Sequence, residues 1–247
     1  MSENSTPPRS PRALRPILRT AARLLTFRLT GEEFAQFDQR HLLFGLLCTW
    51  LVGVGRWWDD PGAGWLQHAG AGSVVYIFIL ALLLWLVVLP LKPNGWTYRH
   101  VLTFVALTAP PALLYAIPVE KFVSLATARS LNVWFLATVA LWRVALLFNY
   151  LKRHARLRPF AIFTASLLPV TAIIVALTML NLERAVFDVM GGLREQGQGA
   201  ANDNAYAVLI LLSLLSMLLF LPLLACYVVL IVVARSKGDE YRVASGG

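Results

Sequence analysis

The stretch ATVALWRVALLFNY, residues 137 to 150, reads as a membrane helix with one dissonant side chain. Arg143 stands close to the middle of an apolar run covering 131–151. A bilayer core is crossed by about 20 apolar residues in helical form. Five further runs have comparable length, at 41–57, 71–91, 101–119, 160–181 and 205–234. They predict an all-α, polytopic membrane helix bundle with six transmembrane helices. Composition agrees, because 58% of the 247 residues are hydrophobic and only 14% are charged, against about 25% charged in ordinary soluble domains.

The net charge of +9 has a topological reading. Seven arginines, from Arg9 to Arg40, lie in the N-terminal tail. Lys92 and Arg99, the group from Lys152 to Arg158, and Arg235, Lys237 and Arg242 fall on the same side of a six-span thread. Only Arg56, Lys121, Arg129, Arg184 and Arg194 fall on the other. Basic residues concentrate on the cytoplasmic side, so both termini are expected inside. No cleavable signal is apparent, since the first apolar run begins near Leu42. With short, Arg-rich loops, this layout suits a bacterial inner membrane. Trp57, Trp58, Trp65, Trp96 and Trp134 lie near run boundaries, where an aromatic belt would place them. Nucleic acid is not an expected partner.

The chain divides into a basic tail (1–30), a transmembrane domain (31–235) and a short C-terminal tail (236–247). Within the first part, Arg12, Arg15, Arg19 and Arg23 share one helical face, and Leu14, Ile17, Ala21, Leu24 and Leu25 lie opposite. This predicts an interfacial amphipathic helix whose arginines meet anionic headgroups of membrane lipids. The alternative is an unstructured topogenic tail. Thr30 and Glu33 fit a capping box that starts a fresh helix running into the first span. The segment 182–204, rich in Gly, Gln and Asn, reads as a flexible connector.

Catalytic and metal-binding patterns are missing. The four histidines, His41, His68, His100 and His154, lie at run edges or in loops, whereas a haem-binding bundle would carry them in pairs inside its spans. Asp59, Asp60 and His68 match no metal rule well. No GxSxG, HExxH or phosphate-binding loop is placed to work. No cofactor and no metal are expected, and no enzyme is supported.

Arg143 is therefore the lead. It lies about 12 Å from the nearer end of its run at 1.5 Å per residue, and a guanidinium at that depth costs at least a few kcal/mol unless partnered. No Asp or Glu lies in any of the six runs. Prolines offer another kind of partner, because each removes a helical hydrogen bond and frees the carbonyl four residues earlier. Pro110, Pro111, Pro169 and Pro222 fall near the middles of three other runs, which points to the carbonyls of Ala106, Leu107, Ala165 and Leu218. Thr108, Tyr115, Thr164, Ser166 and Thr171 offer hydroxyls. Asn132 and Tyr150 share a helical stripe with Arg143, within about 20° at 3.6 residues per turn. The expected cluster is thus Arg143, Asn132, Tyr150, Thr108, Pro110, Pro111, Tyr115, Pro169 and Pro222.

Two functions are compatible with it. The first is a non-catalytic subunit, scaffold or accessory component of a membrane assembly, with membrane-protein partners and Arg143 locking the bundle. The alternative is a small transporter or permease subunit that binds an anionic or lipid-like ligand at a midplane site around Arg143.

Topology is open to a direct check. In a background lacking Cys48 and Cys226, Gly199→Cys is expected to label from outside and Ser236→Cys from the cytoplasm. The reverse pattern would overturn the charge argument.

Overall fold

The computed structural model describes residues 14–55, 65, 69–182 and 201–245. Among them the chain is helical throughout, without a strand. Its α-helices are α1 (Leu14–Leu25), α2 (Gly31–Ala35), α3 (Gln39–Gly55), α4 (Ala71–Val88), α5 (Tyr98–Leu107), α6 (Leu125–Arg153), α7 (Pro159–Met179) and α8 (Ala201–Ser245). Short 3-10 helices follow α4 at Leu89–Leu91 and follow α5 at Pro110–Ala116 and Val119–Lys121. The first loop from residue 56, apart from Trp65, Ala69 and Gly70, lies outside the described residues, as do Arg12 and most of the 182–204 connector.

Among the described residues, four segments are long and apolar enough to cross a membrane, namely Ala71–Leu91, Ser130–Arg153, Pro159–Met179 and Val208–Ser236. The chain is accordingly a multi-pass membrane protein. The other two expected spans differ. The first run forms a helix of 17 residues. The third is not one helix, because α5 stops at Leu107 after 10 residues and continues as 3-10 helix from Pro110. Two adjacent prolines remove two successive N–H donors, which ends an α-helix. The last run is longer than expected: α8 starts at Ala201, within the predicted connector, and continues through the predicted C-terminal tail to Ser245.

Local chemistry sets the boundaries. The capping box at α2 is formed, with the Glu33 N–H donating to Thr30 Oγ1 and the Thr30 N–H donating to Glu33 Oε2. The helix it starts does not run into the first span: α2 ends at Ala35, and α3 begins separately at Gln39. Thr97 and Ser124 cap α5 and α6 in the simpler one-way form. Gly70 begins α4 at φ +71°, in the left-handed region, and a Cβ there would sit 2.9 Å from the Val54 nitrogen.

The amphipathic helix α1 is present, and most of its apolar face is turned towards protein while Leu14 at its start stays exposed. Ile17, Ala21 and Leu24 are buried, and Ala21 and Leu24 belong to the main core. Trp142 Nε1 donates to the Leu25 carbonyl at 3.0 Å, and Arg153 donates to that of Leu29 at 2.8 Å. The ion pair between Arg23 and Glu33 ties α1 to α2.

The centre of the bundle is α5, in which every residue from Val101 to Leu107 is buried. It packs between α3 and α4, and α3 comes close through Gly45. A Cβ there would lie 2.8 Å from Ala106 Cβ and 2.9 Å from the Leu107 nitrogen. Gly45→Leu is therefore expected to lower stability by about 1–3 kcal/mol through overpacking. By contrast, nothing lies within 4 Å of a Cβ at Gly72, and Gly72→Ala should stabilise by roughly 0.5–1 kcal/mol as a helical Gly replacement. Thermal unfolding in mild detergent distinguishes the two.

Candidate functional site: a cavity beside Arg143

Arg143 donates from Nε to the carbonyl of Thr108 at 3.1 Å. The expected type of partner is right, but the residue is different. A 3-10 helix pairs each carbonyl with the N–H three residues on, not four. Accordingly the Ala109 N–H takes the Ala106 carbonyl at 3.1 Å, and the Ala112 N–H takes that of Ala109 at 2.9 Å. The Thr108 carbonyl should then receive the N–H of residue 111, which is proline and has none. Arg143 supplies that donor.

The bond lies on the wall of a cavity of about 560 Å³. α4 and α6 face one another across it, each presenting a helical stripe: Ser73, Tyr76, Leu80 and Leu84 from α4, and Leu136, Ala140, Arg143 and Leu147 from α6. Phe104, Val105 and Thr108 of α5 form a third side, with Thr49 and Val52 of α3 nearby. α7 contributes Ser166, Pro169, Val170 and Ile173. Most of this surface is apolar, Arg143 is the cation on it, and no described lining residue carries a carboxylate.

Its hydroxyls are not equivalent. Thr49 donates to the Gly45 carbonyl, and Thr108 to that of Val105 at 2.7 Å. Ser166 is 3% exposed, and its Oγ has no hydrogen-bond partner among the described residues. A buried hydroxyl left in that state is costly, and this one sits on the cavity wall.

The predicted cluster is brought together only in part. Arg143, Thr108 and Pro169 share the cavity. Pro110 and Pro111 open the 3-10 helix that follows Thr108. Tyr115 lies in that same helix, and its side chain is outside the described residues. Asn132 lies three turns before Arg143 on α6 and is not on the wall, and neither is Pro222 on α8.

Tyr150 belongs elsewhere. It is fully buried, and its ring stacks on Phe104 with centroids 4.0 Å apart and planes 5° from parallel. Phe34, Trp96 and His154 complete the group, with His100 against His154 at 5.5 Å. Phe104 thus has the cavity on one side and this aromatic cluster on the other. The stripe through Arg143 and Tyr150 faces the bundle, but its two members serve different neighbours. Part of the cluster has a sequence signal: His100 and Phe104 are four residues apart on α5, as are Tyr150 and His154 at the end of α6. Among the described residues, no three His, Cys, Asp or Glu side chains converge as metal ligands.

No protein-family model, curated protein or solved structure matches the chain.

His154, just beyond the end of α6, is pushed down to about 4, first by burial and then by His100, while a hydrogen bond with the Gly95 backbone acts the other way. An unfolded histidine titrates near 6.5, so between these values the unfolded chain binds the extra proton. The contribution to stability is complete above pH about 6.5 and is lost as pH falls towards about 4. Tm should drop across that window, and His154→Phe should flatten the drop. Glu33, held below its ordinary value chiefly by the hydrogen bond from the Thr30 backbone, and Asp38, where burial raises the value but the hydrogen bonds from His41 and Arg40 together outweigh it, act at lower pH.

Proposed function

We propose that this protein binds an anionic, lipid-like ligand in the cavity beside Arg143, as a small transporter or permease subunit. One observation carries the reading: a guanidinium stands on the wall of a largely apolar chamber between helices of a membrane bundle. A charge at that depth is functional by default, and a few polar groups in an apolar cavity are the usual makeup of a small-molecule site.

The membrane arrangement that goes with this has six crossings, both termini in the cytoplasm and a bacterial inner membrane as its setting. α3 is about 25 Å long at 1.5 Å per residue. α5 and the 3-10 helix after it add up to roughly 29 Å, close to the ~30 Å of a hydrocarbon core. The exposed arginines of α1 would meet anionic headgroups.

A second reading is favoured by the bond to Thr108. Arg143 would then be a lock, and the protein a non-catalytic subunit or scaffold. α8 leaves most of its apolar surface uncovered by the rest of the chain, which suits contact with partner spans.

Arg143→Leu separates the two. On the ligand reading, the variant purifies folded in mild detergent but loses the anionic lipid retained by the original, whereas Arg143→Lys keeps part of it. On the lock reading, Arg143→Leu strands the Thr108 carbonyl at a cost of about 1–3 kcal/mol, and folding fails or Tm collapses. A folded leucine variant with undiminished lipid retention would sink both.

A further inference from the structure

We infer that the occupant of this cavity is a single-chain anionic amphiphile, admitted sideways from the bilayer between α4 and α7. The inference rests on the ligand reading above and adds the size, shape and route of the ligand.

Size follows from volume. At about 560 Å³ the cavity falls within the roughly 300–1,000 Å³ of sites that enclose one small-molecule ligand. One acyl or alkyl chain with a small headgroup matches that scale. A diacyl phospholipid has more than twice as many atoms as such a molecule.

Shape follows from the distribution of polar groups. Arg143 and the unpartnered Ser166 hydroxyl are on the wall. The stripes of Leu80 and Leu84 on one side and Val144 and Leu147 on the other are suited to a hydrocarbon chain. Phe104, backed by the Tyr150 ring, gives that apolar part a rigid surface. The guanidinium recognises a carboxylate or a phosphate alike, so the shared chemistry is a compact oxyanion on one chain.

The route follows from exposure. Tyr76 on α4, and Val170 and Ile173 on α7, line the cavity while remaining 53%, 42% and 45% exposed. All three lie on segments apolar enough to cross a membrane. The cavity therefore meets the bilayer side of the bundle, where an amphiphile is already dissolved.

The test uses the full-length protein, delipidated in mild detergent, with four probes: hexadecanoate, hexadecyl phosphate, dihexadecanoyl phosphatidate and hexadecanol. Saturable binding of either or both single-chain anions, with phosphatidate at least tenfold weaker, is expected, and the stronger anion identifies the headgroup. Val170→Trp, on an exposed helix face where folding tolerates a large side chain, should weaken binding by about tenfold, or ~1.4 kcal/mol, without lowering Tm. Equal binding of phosphatidate would overturn the single-chain inference and leave the anionic-ligand reading standing. Equal binding of hexadecanol would remove the anionic requirement from both. Binding of none of the four would overturn both together, and unchanged binding in a folded Val170→Trp protein would overturn the lateral route.

Discussion

A missing N–H at Pro111 organises the middle of this protein. It leaves the Thr108 carbonyl without its 3-10 partner, and Arg143 fills that position from the facing helix. Each group would be expensive in the hydrocarbon alone, one as an unpaired acceptor and the other as a charge. Together they offset much of that cost. The remainder of the bundle is consistent with the pairing: Gly45 lets α3 lie against Ala106 and Leu107, and α5 is buried from Val101 to its broken end, which reaches α6.

The same break also makes room. A continuous helix through residues 98–119 would keep side chains projecting at regular intervals towards α6. Beyond Thr108, the described side chains of this segment that line the cavity are the small Ala109 and Ala112. Space and the acceptor for Arg143 thus share one local irregularity. Polar necessity and cavity formation share a cause here, which is why Arg143 supports both a structural and a ligand-binding account.

Much of this was legible from residue order. The apolar runs mark the four long helices, the capping box starts α2 where Thr30 and Glu33 place it, and the proline pair marks the break. Arg143 stood out because a single charge in a run of that length has few physical explanations. Its exact acceptor was not legible, because the rule of the carbonyl four residues earlier assumes α-helix up to the proline, and the chain had already tightened to 3-10. The neighbours of Tyr150 were not legible for another reason. Helical phase gives a direction but not the neighbour met in that direction, and two turns along α6 the neighbour changes from the cavity to Phe104. For α1, an apolar stripe looks the same whether it will cover lipid or protein; only the facing surface at Ala21 and Leu24 decides.

The bond from Arg143 to Thr108 joins residues 35 apart in sequence, and that separation matters during synthesis. When α5 and its 3-10 continuation leave the ribosome, the donor that completes them has not yet been made. In the six-crossing arrangement proposed above, that segment would not settle in lipid as an independent unit, since its open carbonyl has no partner there. It would wait beside water until α6 followed, so that the fifth and sixth helices would enter the bilayer together.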